Sequence, residues 1–286
     1  MSEPKLSVRS SGAGGRGYRH PTTGVIVPSV TTVLKNLNKP ALLQWAVDQT
    51  AAYAVANIDG LLSRTEEQGW GFLRWYWNRD PLKGDVDIRN FYNGVRDDAA
   101  SLGTAIHEWI EAETTGGLYP DVSDAPEHFW EMVSVWDAWY ASHDVKPLVS
   151  EGTVWSHKYG YAGTLDGIWI VDGVPYLLDV KSSRHIFDEH MMQLSALANA
   201  DVLMVEVDGE WVEMEIPKFD AYGILHIRPS DVDKNGNSME PYCKLETLDA
   251  DEMPIHFESF KGLLRVSDSQ AKIKEYRKNA QKSSGF

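Results

Sequence analysis

Near residue 145 the hydrophobic pattern of this chain changes period, and that change restricts the fold more than any other feature. Upstream, apolar residues recur every three to four positions, the spacing of amphipathic helices. Downstream they fall in short β-branched and aromatic runs separated by turn residues. "PLVSEGTVWS", "YAGTLDGIWIV" and "YLLDVKSS" read as three consecutive strands, the last two joined by a tight turn at Asp172-Gly173. "FDEHMMQLSALANA" reads as a helix packed back onto them. "VLMVEV", "WVEMEI" and "YGILHIRP" are further strands, with a hairpin turn at Asp208-Gly209, and "YCKLET" is a candidate for one more. Strands and helices interleaved in this way predict an α/β fold.

The upstream half reads as a helical elaboration of that fold. "GYRHPTTGVIVPSV" predicts a short hairpin, and Ser29 is a plausible N-cap for a helix running to about Leu37. "KPALLQWAVDQTAAYAVAN" carries Pro40 where a first helical turn tolerates it. "AASLGTAIHEWIEAETTGG" is an amphipathic helix ending at Gly116-Gly117, and Pro126 opens the next, "APEHFWEMVSVWDAWYASHD". The expected organisation is a Ser/Gly-rich flexible segment over 1–17 and one domain over 18–286. Within that domain the helical part covers about 29–143, the α/β core about 99–230 and a closing basic helix about 250–286.

Composition narrows the class. A hydrophobic content of 43% with 11 Trp supplies a core, and no apolar run reaches the roughly 18 residues of a membrane span. The opening stretch lacks the apolar region of a secretory signal, and a single cysteine, Cys243, rules out an internal disulfide. These features predict a cytoplasmic location with no membrane partner. The formal net charge is −15, unlike a typical nucleic-acid binder, but it is unevenly spread. Residues 1–40 carry six Lys/Arg and one acid, and residues 261–286 carry seven Lys/Arg and two acids. The ends are solvated tails or places where a polyanion is held.

Four segments put polar groups where apolar ones belong: His107 in "GTAIHEWIEA", Asp166 in "GTLDGIWIV", Asp179 and Lys181 in "LLDVKSS", and Gln193 in "HMMQLSALANA". Each alone has an ordinary reading: a satisfied helix histidine, a turn aspartate, a hydrogen-bonded core glutamine. Together they do not. Side chains two apart on a strand share a face, so Asp179 and Lys181 lie side by side, with Val180 turned away. Buried charge is costly unless paired or metal-bound, and two neighbouring carboxylates both stay ionised only with a cation between them. Oxygen ligands suit Mg²⁺ or Mn²⁺, and an imidazole tilts the choice towards Mn²⁺. Such an ion, with a lysine beside it, is the equipment of phosphodiester hydrolysis.

In order and spacing, "GTAIHEW", "GTLDGI" and "LLDVKSS" resemble the PD-(D/E)XK nuclease superfamily, in its RecB-type and phage-encoded exonuclease branch. His107 and Asp166 lie 59 residues apart, and Asp166 and Asp179 lie 13 apart. "PSVTTVLKNLNKPALLQWA" also looks like the opening of phage members. The resemblance implies a restriction-endonuclease-like core, with a central mixed β-sheet flanked by helices. It implies that His107, Asp166, Asp179 and the main-chain carbonyl of Val180 hold Mg²⁺ or Mn²⁺. Lys181 would orient or deprotonate the attacking water, and Gln193 would hold the DNA backbone or Lys181. Two departures matter: Leu197 stands where relatives often carry tyrosine, and one cysteine cannot hold their iron–sulfur cluster. The implied activity is a metal-dependent deoxyribonuclease, foremost an exonuclease on linear DNA ends in phage recombination or replication, in the host cytoplasm. The partners implied are single- or double-stranded DNA, with a homo-oligomer or a phage recombination protein as further possibilities. A structure-selective endonuclease with the same site and a non-cleaving DNA-binding module are the alternatives.

Several residues are candidates for DNA contact: Ser182 and Ser183 after the charged strand, and Arg19, His20 and Lys39 near the entrance. "GWGFLRWYWNRD" sets Trp70, Phe72, Trp75, Tyr76 and Trp77 around Arg74 and Arg79. It reads either as a helix burying aromatics or as a stacking platform worth roughly 1–3 kcal/mol per unpaired base. Glu108 and Glu111 flank His107, and Glu111, one turn on, is placed to reach the metal or its water shell.

Overall fold

A computed structural model describes residues 6–9, 16–69, 91–233 and 235–283. The Trp-rich stretch with Arg74, Trp75 and Arg79 lies outside them. The described chain is an α/β fold built on a seven-stranded mixed sheet flanked by helices. Its strands are β4 (Val145–Ser156), β5 (Tyr161–Val171), β6 (Val174–Lys181), β7 (Val202–Val207), β8 (Glu210–Met214), β9 (Ala221–Arg228) and β12 (Tyr242–Thr247). They lie in the order β12-β9-β6-β5-β4-β7-β8. All neighbours are antiparallel except β6 and β9, which run parallel. The two Asp-Gly turns form as the sequence requires. Asp172 and Gly173 have φ of 50° and 85°, and Asp208 and Gly209 have 52° and 82°. These left-handed pairs match the twist of a two-residue hairpin, and glycine takes the second position without steric cost.

A smaller sheet joins β1 (Ser7–Arg9), β2 (Arg16–Arg19) and β3 (Ile26–Pro28), and β10 (Asp231–Val232) pairs with β11 (Ser238–Met239). Leu6 is buried with Tyr18, Val27 and Trp155, which ties β1 to β2 despite the Ser/Gly-rich sequence around it.

The helices are α1 (Val30–Leu34), α2 (Pro40–Ala56), α3 (Ile58–Gln68), α4 (Phe91–Thr115), α5 (Glu127–Ser142), α6 (Asp188–Ala198) and α7 (Met253–Ser283). Ser29 caps α1 by accepting from the Thr32 N–H. Val33, Leu194, Leu197, Phe257 and Phe260, from α1, α6 and α7, share one core cluster with Ile168 and Leu177 of the sheet. Trp169, one residue on from Ile168 and so on the opposite face, has its ring 6.1 Å from Trp136 of α5. Both faces of the central sheet are therefore covered, which explains why β6 is buried at four consecutive residues, Leu177 to Val180, rather than at alternate ones.

Residues Met1–Leu37 and Gly103–Phe286 form one compact unit, and Asn38–Leu102 form another. The second holds α2, α3 and the first half of α4. No residue of α2 is buried, and Trp45 meets Tyr92 edge to face at 6.5 Å. No helix among the described residues is long and apolar enough to cross a membrane.

Candidate metal centre

The polar cluster sits where two central strands part. β5 and β6 pair from Val171↔Val174 to Gly167↔Leu178 and no further, although both continue. Asp166 and Asp179 are the next residues on each strand. β6 keeps its parallel pairing with β9 through Lys181↔His226, while β5 keeps its pairing with β4. The gap beyond Gly167 and Leu178 is bridged by side chains instead of a ladder. The Val180 N–H donates to Asp166 Oδ2 at 2.7 Å.

Within this gap the sequence-predicted residues converge. Asp179 is wholly buried. Its Oδ1 accepts from Gln193 Nε2 of α6 at 3.1 Å, and the Lys181 ammonium lies against its Oδ2. The two form a buried ion pair. His107 of α4 puts Nδ1 3.6 Å from Asp166 Oδ2. Beside it, the Val180 backbone favours the charged form of the imidazole.

A residue unmarked in the sequence reading completes the cluster. Glu151, in the middle of β4, has φ of 52°, a left-handed conformation uncommon for glutamate. The ladder pairs Ser150 with Gly167 and Gly152 with Leu165, which leaves Glu151 opposite Asp166. His107, Glu151 and Asp166 bring one ligand atom each within 4.8 Å of one another. An acid in mid-strand followed by glycine was the available signal. It was hidden because the strand is bulged between Pro147 and Val149 and Glu151 is itself left-handed, so simple alternation does not predict where it points.

The electrostatics describe a site short of positive charge. Burial, with Asp166, Glu111 and Asp179 nearby, pushes Glu151 up to about 8, against the pull of Lys181. Burial and Asp166 push Asp179 up to about 7, although Lys181 and His107 oppose them. Asp166 is also raised by burial, against Lys181 and the Val180 N–H. Burial alone would lower Lys181, but Asp179 and Asp166 outweigh it and hold the ammonium charged. Burial and Lys181 press His107 down to about 4, so its ring is neutral near pH 7 with a lone pair to offer. Glu111 is raised by burial and by Glu108. The cluster therefore keeps protons that a divalent cation would displace. Three carboxylates, a neutral imidazole and a main-chain carbonyl are a donor set suited to Mg²⁺ or Mn²⁺.

The residues expected to contact DNA are spread more widely. Ser182 and Ser183 follow Lys181 directly, and their carbonyls accept from Arg228 Nη1 and His226 Nε2. Ser183 Oγ is turned to the His185 carbonyl, at 2.8 Å. A Cβ on Gly103 of α4 would lie 2.9 Å from Ser182 Oγ, so glycine lets the helix that carries His107 approach this strand end. Arg19 is exposed, while Lys39 is the N-cap residue of α2 in the other unit. His20 is buried rather than placed at an entrance. Leu197 packs into the core, and a Cβ on Gly163 would lie 2.7 Å from its Cδ2.

His20, His157 and Glu213 make a second convergence, with both Nε2 atoms on Glu213 Oε1 at 2.8 and 3.1 Å. Its protonation suits structure, not a cation. His20 Nδ1 accepts from the Thr22 and Thr23 N–H groups, so Nε2 carries the proton and donates to Glu213. Compared with known proteins, the chain matches no family model, and no curated protein matches it.

Proposed function

We propose that this chain is a divalent-metal-dependent deoxyribonuclease with a restriction-endonuclease-like core, acting foremost as an exonuclease on linear DNA ends. The observation that carries the reading is the Lys181 ammonium lodged against a buried carboxylate pair at a strand divergence, with His107 and Glu151 converging on it. His107, Glu151, Asp166, Asp179 and the Val180 carbonyl hold the ion. An Mg²⁺ or Mn²⁺ ion bound there would supply Lewis-acid chemistry, polarising a phosphoryl oxygen and acidifying a water molecule.

The chain's own residues supply the rest. Gln193 donates to Asp179 Oδ1, fixing that carboxylate with its Oδ2 against Lys181. Lys181 is a cation, so it orients the attacking water and stabilises charge developing on the phosphate. Ser182 and Ser183 continue from the lysine along the path of the DNA backbone, their positions anchored from β9.

The deciding experiment incubates the protein with end-labelled linear duplex and with covalently closed circles, in Mg²⁺ and in Mn²⁺. Progressive loss of the linear label with intact circles is the expected result. Cutting of circles would replace the exonuclease by a structure-selective endonuclease. No cutting of any DNA in either metal would leave a binding module.

A further inference from the structure

Helix α7 outlasts the body it packs on. Met253, Phe257, Phe260, Leu264 and Ser267 are buried, a stripe at helical spacing set against α1 and α6. From Lys272 to Gln281 every residue is exposed. The stripe itself continues from Ser267 through Ala271 to Lys274 and Lys278, in steps of four, three and four. Positions that would be apolar if the helix went on packing carry lysine instead. Arg277 sits beside them and Lys272 one turn back. None of these four cations pairs with a carboxylate among the described residues.

The packed turns from Met253 nucleate these last turns, so no packing requirement places lysine on this face, and the like charges four apart at Lys274 and Lys278 repel. A polyanion laid along the lysine face would turn that repulsion into attraction. Ten residues at 1.5 Å each extend about 15 Å, over which a duplex presents about nine phosphates. The body offers no such attraction, because the net charge of −15 coexists with an excess of five positive charges in 261–286.

We propose that the last turns of α7, Lys272 to Gln281, form a basic arm that lies along the phosphate backbone of duplex DNA. The proposal rests on reading the chain as a DNA-acting protein, and it adds a contact surface on a different element from the metal cluster. An anionic lipid surface fits less well. Ile273 and Tyr276 are the exposed large apolar residues of the arm, and a membrane-surface helix needs a continuous apolar face.

The test uses the full chain carrying Lys274→Ala, Arg277→Ala and Lys278→Ala together, alanine being chosen to keep the helix. Binding to a fluorescent duplex of about 30 base pairs is followed in EDTA across a salt series. Each phosphate contact contributes about 0.9 to the slope of log affinity against log salt, so the variant's slope should be shallower by about 2.7. Glu275→Ala should tighten binding. Hydrolysis of a small phosphodiester, bis(4-nitrophenyl) phosphate, in Mn²⁺ should be unchanged in the triple variant. An unchanged salt slope, or loss of binding to phosphatidylserine vesicles with duplex binding intact, would overturn the arm. Duplex binding through the arm without hydrolysis of any substrate would keep the arm and remove the nuclease reading.

Discussion

Lys181 and Glu151 define opposite requirements at the same cluster. Lys181 is a charged group whose partners, Asp179 and Asp166, keep it protonated despite burial. Lys181→Ala should lower cleavage of linear duplex by at least about 10²-fold, the usual worth of a positioned proton-transfer or charge-stabilising group. Duplex binding in EDTA should stay within about twofold of the unaltered protein, because the lysine faces two carboxylates rather than solvent; near-normal turnover would sink its assignment. Glu151 is held in a left-handed conformation that costs roughly 1–2 kcal/mol for a residue with a Cβ. Such strain persists where the surroundings impose it. Glu151→Gly should therefore stabilise the metal-free protein by about 1 kcal/mol, read from urea denaturation, while weakening Mn²⁺ binding in calorimetry. A variant that is less stable and binds Mn²⁺ as tightly would show that Glu151 serves the fold and not the ion.

At the scale of elements, the site depends on how the end of β6 is held after β5 leaves it. Lys181 pairs with His226 across the parallel ladder, and His226 Nε2 lies 2.7 Å from the Ser183 carbonyl that it serves as donor. Burial and neighbouring Arg228 and Lys244 keep that histidine low and neutral, with the Ser183 contact opposing them. His226→Leu should leave the Ser183 carbonyl unpaired, costing about 1–3 kcal/mol. It should also lower kcat more than KM, because the lysine-bearing strand end loses its anchor; equal kcat with the expected stability loss would make His226 structural only. The strands that form this frame were legible because their turns were. Asp172-Gly173 and Asp208-Gly209 have the chemistry their backbones require, and the runs between them have the right length. The parallel pairing of β6 with β9 was not legible, since it joins segments that no local turn connects. Asp166, Asp179 and Lys181 stood out as charges in apolar runs, and the structure brings them together with His107 and Gln193. Glu151 did not stand out, because a bulge and a left-handed residue break the alternation that would reveal its direction. His20 was expected near the entrance, yet edge-to-face contact with Trp155 and the Glu213 carboxylate hold its ring in a buried position.

For the molecule as a whole, a cluster that keeps protons in place of a cation makes stability depend on pH and metal together. Glu151, Asp179 and Asp166 are raised in the fold, whereas unfolded carboxyls titrate near 4. Folding therefore takes up protons between about pH 4 and 8, and the stability these groups contribute is lost as pH rises through 7 and 8. His107, depressed to about 4, and His226 act the other way, since their unfolded rings bind protons that the folded ones refuse. That contribution fades about one unit above the unfolded histidine pKa of about 6.5, where the ring is neutral in both states. From about pH 7.5 to 8.5 the carboxylates act alone among these groups, and the unfolding free energy in EDTA, read from urea denaturation, should fall with a slope of at most about 1.4 kcal/mol per pH unit for each group. Growing negative charge on the acidic body would give a fall of the same sign, so two controls separate the causes. Saturating Mg²⁺ or Mn²⁺ should flatten the profile, because the ion pairs the carboxylates once their protons leave. Glu151→Gln should remove part of the slope in EDTA and leave less for the metal to restore. A profile unaffected by either would mean that these carboxylates are ordinary acids in solution, and no cation would be needed to explain why they lie together.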